Sequence, residues 1–257
     1  MIALGIDTSG ILGGVALAGP EALLAETRVD ARAAASERIL PQIERLLGDL
    51  GLGLAAIQRI GVVLGPGSFT GVRVALATAK GLALARERGV LGLSTIEARA
   101  GALGAGGHPA LILTAPRRGE VFCGAGWHEG DTFHWLLPAA SRPLDRAGEW
   151  IGETVRACAD LGRLPLLCAG DGARSLEESG AAGRAGSAVL LLPAAVTASV
   201  PGAAAIAAAR ADARRLAFGT GLDDLQPVYL RGAEARRPAA GGEKGPGASG
   251  DRRAGVD

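Results

Sequence analysis

Leu64-Gly-Pro-Gly-Ser-Phe-Thr-Gly-Val-Arg73 is the stretch that says most about how this chain folds. An apolar run from Ile60 leads into it, and a long Ala-rich pattern leads out as far as Arg88. This order predicts a strand, a tight glycine turn and a helix whose first turn is capped by Ser68 or Thr70. Such a junction either points backbone N–H groups at a phosphate or brings the backbone close to another protein surface.

The glycine turn matches neither of the common nucleotide-binding motifs. A G-x-G-x-x-G pattern that starts at Gly65 needs a glycine at position 70, where Thr70 stands, and no acidic residue ends a strand about 20 residues further on. The P-loop pattern is absent too, because no Gly-Lys-Ser or Gly-Lys-Thr follows. These mismatches favour a contact surface or a structural turn over a phosphate site.

The helix that follows the turn carries small residues every four positions. Its stripe of Gly71, Ala75, Ala79 and Ala83 would let two helix backbones approach closely. Charge is nearly absent between Thr70 and Leu84, so we expect one face to pack on the protein's own sheet and a second face to bind a partner protein. A bulky Ala79→Trp substitution would then abolish the complex and leave the fold intact.

The chain reads as two α/β units followed by a tail. Each unit opens with a predicted hairpin, Ile2–Asp7 with Val15–Ala18 and Ala110–Ala115 with Val121–Trp127. A Gly-rich stretch at 101–109 separates them, so we expect an N-terminal lobe over 1–105 and a C-terminal lobe over 106–232. Three further helices are predicted. The first covers Ser36–Leu50 and has its regular part starting near Pro41, the second begins after Ser94, and the third covers Pro201–Phe218. Residues 233–257 have almost no apolar side chains, which predicts a disordered tail.

Composition favours a cytoplasmic protein without a field that attracts nucleic acid. The 257 residues include 27 basic and 26 acidic side chains, giving a net charge of +1. Three scattered cysteines fit neither a disulfide framework nor a zinc site, which indicates a reducing compartment. The N-terminal run lacks the basic segment of a signal peptide, and no uninterrupted apolar stretch of about 18 residues could span a membrane.

The sequence offers few groups for catalysis. Its three histidines do not form a metal-binding pair, and no Gly-x-Ser-x-Gly elbow is present. Asp7, Glu120 and Asp171 each follow or join predicted strands, so they could face one cleft and suit a Mg²⁺-nucleotide. Solvated turn acids are an equally good interpretation of Glu120 and Asp171.

Six motifs together resemble the TsaB (YeaZ) family over residues 1–231. In chain order they are Ile6-Asp-Thr-Ser9, Ser36-Glu-Arg-Ile-Leu-Pro41, Gly65-Pro-Gly-Ser-Phe-Thr-Gly-Val-Arg73, Ala79-Lys-Gly-Leu-Ala83, Arg117-Arg-Gly-Glu-Val-Phe122 and Pro227-Val-Tyr-Leu-Arg231. The resemblance implies a two-lobed, actin-like ATPase fold of the sugar-kinase and heat-shock-chaperone superfamily, with mixed sheets flanked by helices.

The resemblance also implies a role in tRNA modification. Members of this family are the non-catalytic partners of TsaD, which makes threonylcarbamoyladenosine beside the anticodon of tRNAs that read codons beginning with A. TsaD pairs with them through helices of the N-terminal lobe, and the ATPase TsaE joins the complex. The expectation is a TsaD heterodimer that contacts tRNA only as a complex, with a homodimer when the chain is alone. No cofactor is expected to bind tightly, which leaves ATP and Mg²⁺ at the complex interface as an open question.

By the same analogy, the site residues form two groups. The predicted partner-binding residues are Ile39, Ile43, Leu47, Gly71, Val72, Ala75, Leu76, Ala79 and Ala83. A degenerate nucleotide cleft is predicted at Asp7, Thr8, Ser9, Gly67 and Ser68.

The sequence departs from the family pattern twice. Ala35 stands where the family often has a histidine, and Ala115-Pro116-Arg117 replaces an Asp-Ala-Arg sequence. The acid that would hold a phosphate-bound cation is therefore absent. A stand-alone small-molecule kinase or metal-dependent hydrolase of the same superfamily is the alternative function.

Overall fold

The structure is a computed structural model that describes residues 1–30, 35–103, 107–117, 119–180, 183, 186–193 and 200–230. The predicted tail at 233–257 lies outside these residues. The strands are β1 (Ile2–Asp7), β2 (Leu12–Ala18), β3 (Leu23–Asp30), β4 (Ile57–Val63), β5 (Gly89–Leu93), β6 (Ala110–Arg117), β7 (Glu120–Glu129), β8 (Thr132–Pro143), β9 (Leu166–Ala169) and β10 (Val189–Leu191). The helices are α1 (Ala35–Asp49), α2 (Phe69–Arg86), α3 (Thr95–Ala102), α4 (Ala147–Asp160), α5 (Ala173–Glu178) and α6 (Pro201–Arg210).

The strands form two sheets with the same topology. The first sheet has the order β3-β2-β1-β4-β5 and the second β8-β7-β6-β9-β10. In each sheet, three strands run as an antiparallel meander and two more add in parallel beside the first strand of the meander. Both predicted hairpins are present, and each continues into a third strand, β3 or β8, that the sequence pattern did not indicate.

Each sheet is covered by helices on both faces. Apolar side chains of α1 and α2 pack on one face of the first sheet, and α4 contributes to the core on the corresponding face of the second. The opposite face of each sheet is covered by a helix that follows the other sheet in the sequence. Helix α3 follows the last strand of the first sheet but packs on β6 and β7, whereas α6 follows the second sheet and packs on β1, β2 and β4.

Helix α6 is held at both ends by charged residues of the first sheet. The Asp7 carboxylate accepts a hydrogen bond from the backbone N–H of Val200, which caps the N-terminus of the helix, at 2.8 Å. At the other end, the Arg59 guanidinium donates to three backbone carbonyls, including that of Ala211 at 2.6 Å. An anion at the N-terminus and a cation at the C-terminus both complement the helix dipole.

Three predicted helix details are wrong. Helix α1 begins at Ala35, so Pro41 lies in its interior, where the buried Ile39 and Ile43 on the opposite side outweigh a cost of about 3 kcal/mol for the proline. Helix α6 ends at Arg210 and not at residue 218, because Ala217 pairs with Val90 at the edge of the first sheet. It also packs on the first sheet, although the sequence analysis assigned its residues to the C-terminal lobe.

Candidate functional site

The turn of the first hairpin is buried and its polar groups are already bonded. Asp7, Thr8 and Ser9 are all at most 1% exposed. One carboxylate oxygen of Asp7 accepts from the backbone N–H of Ser9 at 2.9 Å and from its hydroxyl at 2.7 Å, while the other holds the N-terminus of α6. Both carboxylate oxygens of Asp7 therefore accept hydrogen bonds from within the chain.

The glycine turn packs directly against this hairpin turn. The Ser68 backbone N–H donates to the Ser9 carbonyl at 2.7 Å, and the Thr8 hydroxyl donates to the Gly71 carbonyl at 2.6 Å. A Cβ atom at Gly67 would lie 2.2 Å from the Ser9 carbonyl oxygen, and one at Gly71 would lie 1.9 Å from that of Thr8. The glycines are thus required by close backbone contact within the chain.

The five residues of the predicted nucleotide cleft therefore lie together, with contacts made among themselves. The Ser68 side chain accepts from the Gly71 N–H at 3.2 Å, which confirms the predicted helix cap. The backbone N–H groups of Ser9 and Ser68 and the hydroxyls of Thr8 and Ser9 are therefore used in hydrogen bonds within the chain.

The other two candidate acids also have protein partners. Asp171, after β9, binds the guanidinium of Arg99 of α3 at 2.6 Å, and both side chains are almost fully buried. Glu120 accepts a hydrogen bond from the Ser141 hydroxyl at 2.9 Å. Within the described ranges, no three or more His, Cys, Asp or Glu side chains are grouped so that they could hold a metal ion.

The cysteines lie in the core of the second lobe. Burial raises the pKa of Cys123 to about 12, against the opposing effect of Arg142, and it raises the pKa of Cys158 to about 11. Burial is also the main cause that raises the pKa of Cys168 to about 12. Thiols with such pKa values are poor nucleophiles at neutral pH.

The histidines have local contacts on the second lobe. His128 has its Nε2 atom 3.1 Å from the Glu97 carbonyl oxygen, and His134 stacks on Trp127. His108 is exposed.

The nine predicted partner-binding residues do not form a surface, and this part of the prediction is wrong. Ile39, Ile43, Leu47, Gly71, Val72, Ala75, Leu76, Ala79 and Ala83 are all buried, at most 7% exposed where a value is given. Most of them belong to the core beneath the first sheet. Because Ala79 has no exposed surface, Ala79→Trp would disrupt this core and could not test an interface.

A second small-residue stripe on α2 faces solvent. It consists of the exposed residues Ala77, Gly81 and Ala85, which also recur every four positions. The exposed Arg73 lies one turn before Ala77 on the same line, and the exposed Leu84 lies beside it. We call these five residues the outward face of α2. Among the described residues, a Cβ atom at Gly81 would meet no atom within 4 Å, so they leave this face open. The sequence contained this signal, offset by two residues from the buried stripe, but spacing alone could not tell which stripe faced the core.

The fold defines a class of protein. Two lobes, each with a meander of three antiparallel strands extended by two parallel strands, constitute the two-lobed actin-like ATPase fold. A helix that crosses from each lobe to the sheet of the other belongs to the same architecture.

Comparison with known proteins assigns the family. A sequence model described as "TsaD: tRNA N6-adenosine threonylcarbamoyltransferase" matches residues 29–172, more than half of the chain. Proteins called tRNA threonylcarbamoyladenosine biosynthesis protein TsaB are 33% identical over 150 residues in Escherichia coli and 31% identical over 142 residues in Bacillus subtilis. The chain belongs to the family that this model describes, and proteins named TsaB or YeaZ are among its relatives.

The matches differ in extent. The alignments span 53% and 54% of this chain and 65% and 60% of the E. coli and B. subtilis proteins, so the chain covers less than two thirds of either relative. The solved structure of YeaZ from Pseudomonas aeruginosa is 25% identical, covers 89% of this chain and 99% of its own, and superposes with a TM-score of 0.67. The likeness in structure thus extends further along the chain than the likeness in sequence.

Proposed function

We propose that this chain is a non-catalytic subunit in the biosynthesis of threonylcarbamoyladenosine in tRNA, and that it binds and activates a TsaD-type threonylcarbamoyltransferase. The observation that carries the proposal is the close packing of the glycine turn against the first hairpin turn, where the two turns use their polar groups on each other. An actin-like protein that uses these groups for its own contacts needs a partner for chemistry. The names of its relatives indicate which chemistry that is.

The outward face of α2 is the proposed docking surface for TsaD. Small side chains at Ala77, Gly81 and Ala85 allow close approach of another helix, and Leu84 adds an apolar side chain that is 64% exposed. The TsaD sequence model matches the region that contains α1 and α2, so a TsaD partner has counterparts of both helices. Two related helix pairs could then pack face to face, with Leu40 of α1 at the edge.

The rest of the assembly follows from this proposal. TsaE and tRNA would join through the complex, in the cytoplasm where tRNA is modified, and any bound nucleotide would be shared with a partner. In the absence of TsaD, a second copy of the chain would bind the same face and form a homodimer. No helix among the described residues has the length and apolar character that crossing a bilayer requires.

Gly81→Trp tests the interface. The indole would project from an open position and block close approach of a helix, and the free chain should stay folded because Trp has a higher helix propensity than Gly. We expect loss of co-purification with TsaD, with an unchanged or slightly raised melting temperature. Gly152→Trp on α4 is the matched control, since Gly152 is also helical and its Cβ would make only an ordinary contact at 3.8 Å. If the Gly81→Trp variant still co-purifies with TsaD, α2 does not belong to the interface.

Nucleoside analysis tests the function itself. Depletion of the chain should remove threonylcarbamoyladenosine from digested tRNA, as measured by mass spectrometry. Re-expression of the unaltered chain or of Gly152→Trp should restore it, whereas Gly81→Trp should not. A normal level of the modified nucleoside in depleted cells would refute the proposed role.

A further inference from the structure

Arg73, on the outward face of α2, contacts the aromatic rings of Phe69 and Tyr229 near the N-terminal end of the helix. We call these two rings the aromatic frame of Arg73. Its guanidinium carbon is 3.7 Å from the centroid of the Phe69 ring and 5.7 Å from that of Tyr229. Its Nε atom donates to the Tyr229 hydroxyl at 2.8 Å. The two rings are 5.3 Å apart, and both are exposed, Phe69 at 43% and Tyr229 at 44%.

The second aromatic ring comes from the distant end of the described chain. The backbone N–H of Val228 donates to the Leu64 carbonyl at 2.7 Å, which fixes the segment 226–230 beside the glycine turn. A Cβ atom at Gly65 would lie 2.9 Å from the Val228 carbonyl oxygen, so this contact also depends on a glycine of the turn. Tyr229 is therefore placed against Arg73 by backbone contacts as well as by its own ring.

The terminal nitrogens of Arg73 have no bonded partner among the residues that the structure describes. Helix α2 contains no acidic residue, and its other charges are Lys80 and Arg86. A guanidinium held by two rings and one hydrogen bond has lost most of its conformational freedom before any ligand arrives. Exposed aromatic and arginine side chains of this kind are typical of residues that dominate binding energy at protein interfaces.

We propose that Arg73 binds a carboxylate of the partner protein, supplied by an Asp or Glu side chain at the edge of an apolar helix face. A carboxylate matches the two terminal nitrogens in a bidentate pair. The small side chains of Ala77 and Gly81 and the exposed Leu84, on the same side of the helix as Arg73 and Lys80, supply the apolar part of the same contact. Charge complementarity makes Arg73 the residue that sets the register of the partner helix along α2. This inference rests on the proposed function, because it names the group on TsaD that the docking surface recognises.

Binding measurements with the full chain and TsaD test the assignment. Arg73→Gln should weaken the complex about 10- to 100-fold and reduce its dependence on ionic strength. Tyr229→Phe, which keeps the ring and removes the hydroxyl, should cause a smaller loss of about threefold, because the guanidinium keeps its charge but loses one orienting bond. Arg86→Gln is the control, since Arg86 is exposed near the end of the same helix without an aromatic frame. Melting temperatures of the free variants separate a binding defect from a folding defect.

A charge reversal identifies the partner group. Arg73→Glu should abolish binding, and an Asp→Arg or Glu→Arg substitution at one position of TsaD should restore it. Equal affinities for Arg73→Gln, Arg86→Gln and the unaltered chain would overturn the inference while leaving the proposed function intact. Absence of TsaD binding by the unaltered chain would overturn both. Loss of tRNA retention without any loss of TsaD affinity would assign Arg73 to an RNA phosphate and also overturn the inference.

Discussion

Two glycines of α2, only ten positions apart, have opposite environments. Gly71 lies against the Thr8 carbonyl, where no side chain fits, whereas Gly81 faces open solvent. The first glycine is fixed by packing, and the second has no role in the free chain that the structure shows. Small residues recur every four positions in both stripes, so the difference arises from the sheet beneath the helix.

Substitution of each glycine by alanine should therefore have effects of opposite sign. Gly71→Ala forces the first hairpin turn away from the helix and should destabilise the chain by about 3 kcal/mol or more. Gly81→Ala adds helix propensity without a clash and should stabilise it by about 1 kcal/mol. Urea unfolding of both variants beside the unaltered chain provides the measurement. A stabilising Gly71→Ala would show that the turn is not packed as described.

The three buried thiols predict a specific dependence on pH. Because burial raises each thiol pKa, the folded chain keeps its thiols protonated where an unfolded chain ionises them. The contribution to stability is complete below about pH 8.5, the ordinary thiol pKa, and is lost as the pH rises through about 11 for Cys158 and about 12 for Cys123 and Cys168. As the pH rises over this range, the denaturant midpoint of the unaltered chain should fall. The midpoint of a variant with all three cysteines replaced by alanine should fall less steeply. At pH 7.5 a disulfide reagent such as DTNB should label these thiols only after unfolding, and rapid labelling of the folded chain would refute their burial.

Elements were predictable where the signal was local and not where it depended on a distant partner. The Ser94 cap of α3 and the Ser68 cap of α2 both followed from short sequence patterns, and both are confirmed by a hydrogen bond to the backbone N–H three residues on. The length of α6 and the orientation of α2 were not predictable in this way. The first depends on Ala217 pairing with Val90, and the second on which stripe the sheet covers.

The role of Asp7 could be predicted only in part for the same reason. Its position at the end of β1 indicated a cleft residue, but its partner at Val200 lies 193 positions away. The structure shows it as an anchor for the N-terminus of α6. Helix attachment thus accounts for an acid at this position.

Asp7→Asn should test this attachment. The substitution preserves size but removes the charge from bonds to Ser9 and Val200, so we expect a loss of about 1–3 kcal/mol in unfolding free energy. Hydrogen exchange should become faster at the first turn of α6. The matched control is Glu149→Gln, whose carboxylate forms an exposed ion pair with Arg146 and contributes little. A neutral result at Asp7 would mean that its charge does not contribute to holding the N-terminus of α6.

At the scale of the whole molecule, two of the three candidate acids, Asp7 and Asp171, are used to attach a crossing helix. Asp7 binds the start of α6, and Asp171 binds Arg99 of α3. Both acids therefore take part in contacts that hold each sheet to its covering helix. A nucleotide-bound cation would have to displace these contacts to reach either carboxylate.

Addition of Mg·ATP to the isolated chain should accordingly leave its melting temperature unchanged. A ligand present at 100 times its dissociation constant would stabilise the folded state by about 2.7 kcal/mol, a shift that thermal denaturation detects easily. A stabilised chain would favour the alternative of a stand-alone kinase or hydrolase. The unaltered complex with TsaD, measured in parallel, separates a site on this chain from one that needs both proteins.

The exchange of α3 and α6 between the sheets gives the chain the construction of a domain-swapped dimer whose two protomers have been fused end to end. In each half of the chain, one face of the sheet is covered by a helix that belongs to the other half. A chain cut in the connection near residue 105 would yield two fragments that each expose one apolar sheet face and one unattached helix. Such fragments would fold by complementation, each supplying the other's missing layer.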